Sequence, residues 1–217
     1  MKSKKLIDSN GNVKVPFYHG TSSLFIPSIQ EAGLGGRNPV NDNKWVESFG
    51  DLFELARQKL GDTPEWPKYR KSLGPIVEQG LSKDGNRHNY SHGETYISPN
   101  SSIAARYAME SGCEILYYLR SLSNDLALRG YGSDVQRVLP MNLQNTLHQT
   151  YRPFLVRISG LRFRDIDTEN GDDKTTVLRQ YEEFLRTNQG TTDMTSWKLI
   201  TTIPKGQLKF LPLSTDL

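Results

Sequence analysis

The chain has 217 residues and one cysteine, and its formal net charge at pH 7 is a mild +3. This length is enough for one domain with a sizeable core, while a single cysteine excludes a disulfide framework and a structural zinc site. The charge alone does not indicate nucleic-acid binding. No apolar run is long enough to span a membrane, and none follows the basic start at residues 2–5, so we expect no signal peptide and a soluble, cytoplasmic protein.

The first ninety residues predict a strand, helices and a long insertion. Residues 15–18 favour extended chain and lead into His-Gly-Thr at 19–21, where we expect a loop that opens a helix ending at Gly33. Such a loop presents backbone N–H groups to whatever lies above it. Residues 35–92 contain a helix with Ser48 as its expected N-cap, followed by repeated prolines, and this predicts a helical and loop insertion laid over the core.

The stretch around residue 100 is the most informative part of the sequence. Residues 95–97 are β-branched or aromatic and predict a strand, and Asn100 is a good N-cap for the helix that follows. Ala104 and Tyr107 fall on one face of that helix. We therefore expect Tyr96 and Tyr107 to converge on one slot, where two aromatic rings would clamp a flat ring and favour a cationic one.

The second half of the chain alternates between predicted helices and strands. Helices are expected over about 114–130, 133–139 and 141–148, and again along an apolar stripe from 177 to 185. Strands are expected at 154–158, 161–166, 195–201 and 207–211. Strands at both ends with helices between them predict a single α+β domain over residues 1–217, with a mixed or antiparallel sheet.

Three short blocks of sequence resemble a known family when they are taken together. The blocks are His19-Gly20-Thr21 after a strand, Tyr96-Ile97-Ser98 followed by Tyr107 eleven positions after the first tyrosine, and the tail from Trp197 to Pro204. This pattern resembles the ADP-ribosyltransferase superfamily, in the His–Tyr–Glu branch that diphtheria-type toxins share with poly(ADP-ribose) polymerases. The resemblance implies a split β-sheet core with inserted helices and NAD as the substrate.

The resemblance also implies roles for single residues. His19 would hydrogen-bond the adenosine ribose of NAD, and the backbone of Gly20 would bind the nicotinamide carboxamide, where a side chain would obstruct it. The two tyrosines would sandwich the nicotinamide ring. Thr21 and Ser98 belong to the same motifs and are expected at the NAD site, and His19 and Tyr96 are two members of the expected catalytic set.

The third member of that set departs from the family pattern. Ser196 stands where the family has a glutamate, and a serine supplies a hydrogen bond but no negative charge. Asp193, Glu182 or Glu183 would have to supply a carboxylate if one is needed. Ala104 likewise stands where a small hydroxyl residue often helps to hold the carboxamide.

The function implied is mono-ADP-ribosyl transfer from NAD to a protein or nucleic-acid acceptor, with release of nicotinamide. A bacterial or phage toxin or effector is the expected context, with an antitoxin or immunity protein as an expected partner. Three alternatives remain open. They are an NAD-binding pseudoenzyme that acts as an interaction module, an NAD-consuming RNA 2′-phosphotransferase, and an NAD glycohydrolase.

Several of the candidate site residues also have a purely structural interpretation. His19 alone would read as a strand-end histidine whose hydrogen bonds are satisfied, and Tyr107 as a core aromatic on an apolar helix face. Glu182 and Glu183 are typical of a solvated helix face. The remaining histidines lack the spacing of a metal site, so no metal is predicted.

Overall fold

The computed structural model describes residues 5–79, 92–110, 112–187 and 196–214, and the structural statements below concern these ranges. Their α-helices are α1 (Ile26–Ala32), α2 (Pro39–Asp42), α3 (Trp45–Leu60), α4 (Trp66–Val77), α5 (Ser101–Glu110), α6 (Glu114–Leu126), α7 (Gly132–Val138), α8 (Met141–His148) and α9 (Lys174–Thr187). Their strands are β1 (Phe17–Ser22), β2 (Tyr96–Ile97), β3 (Pro153–Ile158), β4 (Ile166–Thr168), β5 (Trp197–Leu199) and β6 (Leu208–Pro212).

The strands form two three-stranded antiparallel sheets. The first sheet has the strand order β1-β3-β6, and the second has the order β2-β5-β4. In the second sheet Tyr96 lies opposite Lys198, and Lys198 lies opposite Asp167. This architecture confirms the predicted α+β class and its antiparallel pairing, while the finer likeness to an ADP-ribosyltransferase sheet stays a prediction.

Contacts within the chain divide it into two compact units. The first unit contains both sheets and consists of Met1–Asn38, Glu94–Gly112 and Tyr151–Leu217. The second unit is helical and consists of Pro39–Gly93 and Cys113–Thr150. The helices of the predicted insertion over 35–92 therefore share a unit with those of residues 113–150. The expected single domain over 1–217 stays a prediction.

The second unit is built around α3, whose apolar face packs on α6. Phe49 on α3 and Leu119 on α6 are fully buried, and the Phe49 ring lies 6.1 Å from the ring of Tyr118. An ion pair of 3.0 Å between Lys59 and Asp134 joins α3 to α7 at the edge of this core. Burial of the apolar stripe supplies most of the stability of such a helix.

The helix α3 ends where the sequence predicts and begins earlier. Gly61 follows its last turn and donates its N–H to the carbonyl of Arg57 at 2.8 Å. Ser48, the expected N-cap, lies inside the helix, and its hydroxyl donates to the carbonyl of Lys44. The helix starts at Trp45 because that residue is itself buried and extends the apolar stripe by one turn.

The His-Gly-Thr sequence lies inside β1 and not in the predicted loop. β1 pairs with β3 from Phe17 to Ser22, and both Thr21 and Ser22 are buried. No side chain caps α1, which begins four residues later at Ile26. The local preference of glycine and serine for loops is overridden here by pairing with β3 and by burial, as tertiary contacts commonly do.

A further prediction about strands is wrong. Residues 161–166 form mainly a 3₁₀ turn, Phe163–Asp165, because the Asp165 carboxylate accepts the N–H of Arg162 at 2.9 Å and closes the chain on itself. β5 and β6, both predicted as strands, belong to different sheets. Each finds its partner far along the chain, which local sequence patterns do not encode.

An aromatic cluster joins the two sheets of the first unit. Trp197 on β5 is 1% exposed, and its ring contacts Phe17 on β1 edge to face at a centroid distance of 6.5 Å. Phe163 contacts the same indole at 6.3 Å. Aromatic pairs in this geometry contribute about 0.5–1.5 kcal/mol each beyond the area that they bury.

α5 packs on β1 and β3 through a direct backbone contact. Its N-cap is Asn100, as predicted, with the side-chain oxygen accepting the N–H of Ser102 at 2.9 Å. A Cβ placed on Gly20 would lie 1.9 Å from the carbonyl oxygen of Ala104 and 3.0 Å from the nitrogen of Ala108. Only glycine therefore fits at position 20 while α5 keeps this place.

Cys113 is buried at the start of α6. Burial raises the pKa of its thiol to about 12. A thiol of that pKa is protonated at neutral pH, so this cysteine does not act as a nucleophile there.

We expect Gly20→Ala to destabilise the protein by at least about 2 kcal/mol, because the added methyl group meets backbone atoms that cannot rotate away. Gly74→Ala is the matched control, since nothing lies within 4 Å of a Cβ at that position inside α4. The control should be neutral or stabilising by up to about 1 kcal/mol. The measurement is urea unfolding of the three proteins. Equal stability of Gly20→Ala and the parent protein would show that α5 does not lie against Gly20.

Candidate functional site

The candidate site lies where the two sheets of the first unit separate. Tyr18 and Ser98 exchange two backbone hydrogen bonds of 2.8 Å each, and these join β1 to the end of β2. Within the described ranges this is the sole bridge between the two strands. Beyond it, β1 continues through His19 and Gly20 beside β3, while β2 pairs with β5. Among the described residues no strand is therefore paired with this edge of β1 beyond Tyr18, and this break in the pairing is called the gap below.

On the side of β1 that faces this gap, the backbone groups of Gly20 have no hydrogen-bond partner among the described residues. In an antiparallel strand the N–H and C=O of every second residue point to the same side. Tyr18 turns its pair toward β2, so Gly20, two residues later, turns its own pair the same way. Among the described residues β2 supplies no backbone partner at that point. One N–H donor and one C=O acceptor are thus left side by side at the gap.

His19 points to the opposite face of β1 and closes onto β2. Its Nδ1 lies 2.8 Å from the backbone carbonyl oxygen of Tyr96. A carbonyl oxygen only accepts hydrogen bonds, so Nδ1 holds the proton and the neutral ring keeps Nε2 as an acceptor. Burial lowers the pKa of His19, and the bond to Tyr96 opposes that effect without reversing it. The ring is therefore held against β2 through Nδ1, and Nε2 is still able to accept a hydrogen bond from a hydroxyl group.

Tyr96 and the helix that carries Tyr107 lie on the same side of the sheet. Side chains alternate along a strand, so Tyr96 shares the face of Ser98, Tyr18 and Gly20, which is the face that α5 covers. Tyr107 projects from α5 and is 41% exposed, so it is not a core residue. The closed two-ring clamp stays a prediction.

Thr21 and Ser98, both expected at the NAD site, are engaged inside the protein. Thr21 is 1% exposed. Ser98 is also buried, and its hydroxyl oxygen accepts the N–H of Asn100 at 3.0 Å. Ser98 thus stabilises the turn from β2 into α5, and the place of both residues at an NAD site stays a prediction.

Glu94 and Lys198 are the site residues that the sequence analysis missed. One oxygen of the Glu94 carboxylate accepts a hydrogen bond of 2.5 Å from the hydroxyl group of Tyr96. The other oxygen accepts a hydrogen bond of 2.9 Å from the ammonium group of Lys198. The signal for Glu94 was its spacing of two residues from Tyr96, which places both on one face of an extended chain. Lys198 had no comparable signal, because its proximity depends on the register between β2 and β5.

The acids proposed to replace the family glutamate are differently placed. Ser196 is half-buried next to β5, and extending the strand register by one residue puts it opposite Ser98. The Glu182 carboxylate accepts a hydrogen bond of 2.7 Å from the N–H of Leu6, so it binds the N-terminal segment of the chain. Glu183 is exposed on α9. Asp193 lies outside the described residues.

Other classes of site and comparisons with known proteins add little to this geometry. Within the described ranges no group of histidine, cysteine and acidic side chains is arranged to hold a metal ion. No helix in those ranges is both long and apolar enough to cross a membrane. No protein-family model, curated protein or solved structure matches the chain.

The lowered pKa of His19 predicts a pH-dependent stability. Below about pH 6.5 the unfolded chain protonates this histidine and the folded protein does not, so stability falls as the pH is lowered through that region. His19→Gln keeps an N–H donor for the Tyr96 carbonyl without titrating. Melting temperatures at pH 7.5 and 5.0 should therefore differ less in the variant than in the parent protein. His92, whose pKa is also lowered by burial, contributes equally to both proteins. Identical pH dependence would contradict this account of His19.

Proposed function

We propose that the protein is a mono-ADP-ribosyltransferase that uses NAD as its substrate. The observation that supports this most is the unused N–H and C=O pair of Gly20 at the edge of the gap. A primary carboxamide has one acceptor oxygen and an NH₂ donor, so it would form two hydrogen bonds with such a pair. The nicotinamide group of NAD has this carboxamide on a flat, cationic ring.

The residues around Gly20 suit the other parts of that substrate. Tyr96 lies on the face of the sheet that α5 covers and Tyr107 belongs to α5, and a cationic ring is attracted to aromatic faces. Nε2 of His19 would accept a hydrogen bond from a ribose hydroxyl. The α+β fold with two antiparallel sheets agrees with the family resemblance at a coarse level.

The proposed reaction replaces one bond at the ribose carbon by another. The bond between C1′ of the ribose and the nicotinamide nitrogen breaks, and its electron pair neutralises the pyridinium as nicotinamide leaves. A nucleophilic atom of the acceptor forms the new bond to C1′ and loses its proton to solvent. The protein's part in this step is to hold the ring and the ribose so that the acceptor can approach from the opposite face.

The acceptor and the biological setting remain proposals that rest on the resemblance. A protein side chain or a nucleic-acid base is the proposed acceptor, and a toxin or effector with a neutralising partner is the proposed setting. If water is the acceptor, the same site acts as an NAD glycohydrolase. A protein that binds NAD without releasing nicotinamide would instead be an interaction module, which the uncharged Ser196 favours.

We expect the purified protein to release nicotinamide from NAD and Tyr107→Ala to lose about tenfold or more in kcat/KM, because one aromatic face for the cationic ring is removed. Tyr117→Ala is the matched control, since Tyr117 is 52% exposed on α6 in the other unit. The measurement is chromatography of NAD and nicotinamide over time. Equal losses in the two variants, or NAD left intact by the parent protein at every concentration, would contradict the proposal.

A further inference from the structure

Three charged side chains lie near Tyr96 in the second sheet, and one of them contacts its hydroxyl group. The Glu94 carboxylate binds that hydroxyl and also forms an ion pair of 2.9 Å with Lys198. Asp167 is the direct neighbour of Lys198 on β4 in the same row of the sheet. Lys198 and Glu94 keep only 29% and 31% of their side-chain surface exposed.

The burial of these groups makes their charges effective at the Tyr96 ring. Charges that are partly withdrawn from water interact more strongly than charges on an open surface, and salt screens them less. Glu94 and Asp167 supply two carboxylates and Lys198 one ammonium, so these three side chains have an excess of one negative charge. That excess lies on the face of the sheet to which Tyr96 projects.

Glu94 also fixes the orientation of Tyr96. Its hydrogen bond to the hydroxyl holds the far end of the ring, while β2 holds the near end. Lys198 in turn holds the carboxylate in that position. A ring held at both ends presents one face in a defined direction.

We propose that Glu94, balanced by Lys198, determines the charge of the ring that the site accepts. On this account Glu94 is a specificity-determining and positioning residue that favours the cationic nicotinamide ring of NAD over the uncharged dihydronicotinamide ring of NADH. This inference rests on the proposed function. Beyond that function, it states that the site distinguishes NAD from NADH, which differ by a hydride and, at the ring, by one unit of charge.

The charge balance predicts opposite effects of two substitutions. Glu94→Gln removes one carboxylate and leaves Asp167 alone to balance the charge of Lys198, so the excess negative charge is lost. NAD should then bind about tenfold more weakly, while the affinity for NADH changes little. Lys198→Met removes the ammonium and leaves both carboxylates, so the preference for NAD over NADH should rise. A residue that acts only through folding would change both affinities together.

The experiment is calorimetric titration of the full chain with NAD and, separately, with NADH. The quantity compared is the ratio of the two dissociation constants in the parent protein, Glu94→Gln and Lys198→Met. Tyr96→Phe separates anchoring from charge, because it removes the hydroxyl and no charge; its ratio should stay that of the parent. Glu54→Gln is the control for an exposed ion pair, since Glu54 pairs with Arg57 on the surface of α3 and should change neither affinity.

The possible outcomes separate this inference from the proposed function. Opposite shifts of the ratio in Glu94→Gln and Lys198→Met support the inference. If the parent protein binds both dinucleotides and the two variants keep its ratio, the inference is overturned and the proposed function stands. If the parent protein binds neither dinucleotide, the proposed function fails first, and the inference falls with it.

Discussion

The two hydrogen bonds between Tyr18 and Ser98 determine the rest of the candidate site. They stop the two sheets from separating before His19, and the absence of a further rung among the described residues lets them separate after it. Within the part of the chain that the structure describes, the gap leaves Gly20 with backbone groups directed at no strand. The same bridge sets the turn from β2 into α5, and α5 then lies against Gly20. A small change in this register would remove both features together.

Gly20 meets two separate requirements. Its missing side chain allows α5 to approach within contact of β1, and the structure accounts for the glycine on that ground alone. Its N–H and C=O lie along the strand edge, at right angles to that contact, although Gly20 as a residue is buried. The packing role is thus compatible with the ligand role implied by the resemblance.

The parts of the fold that the sequence predicts are those with local causes. The Asn100 cap, the end of α3 at Gly61 and the strand β3 each follow from residues next to one another. The predicted loop at the His-Gly-Thr sequence was wrong because the pairing of β1 with β3 outweighed the local preference of glycine and serine for loops. Lys198 was missed because its contact with Glu94 joins residues 104 positions apart. The α+β class survived these errors because it depends on the alternation of elements and not on their exact pairing.

The central claim is that Gly20 binds a primary carboxamide, and an amide NMR titration tests it most directly. In a ¹⁵N-labelled sample, the account predicts that the Gly20 N–H proton shifts downfield and saturates as NAD is added. Nicotinic acid is the control, because its carboxylate has no NH₂ group to donate to the Gly20 carbonyl and should bind far more weakly. Saturation of the protein with NAD while the Gly20 signal stays in place would contradict the account.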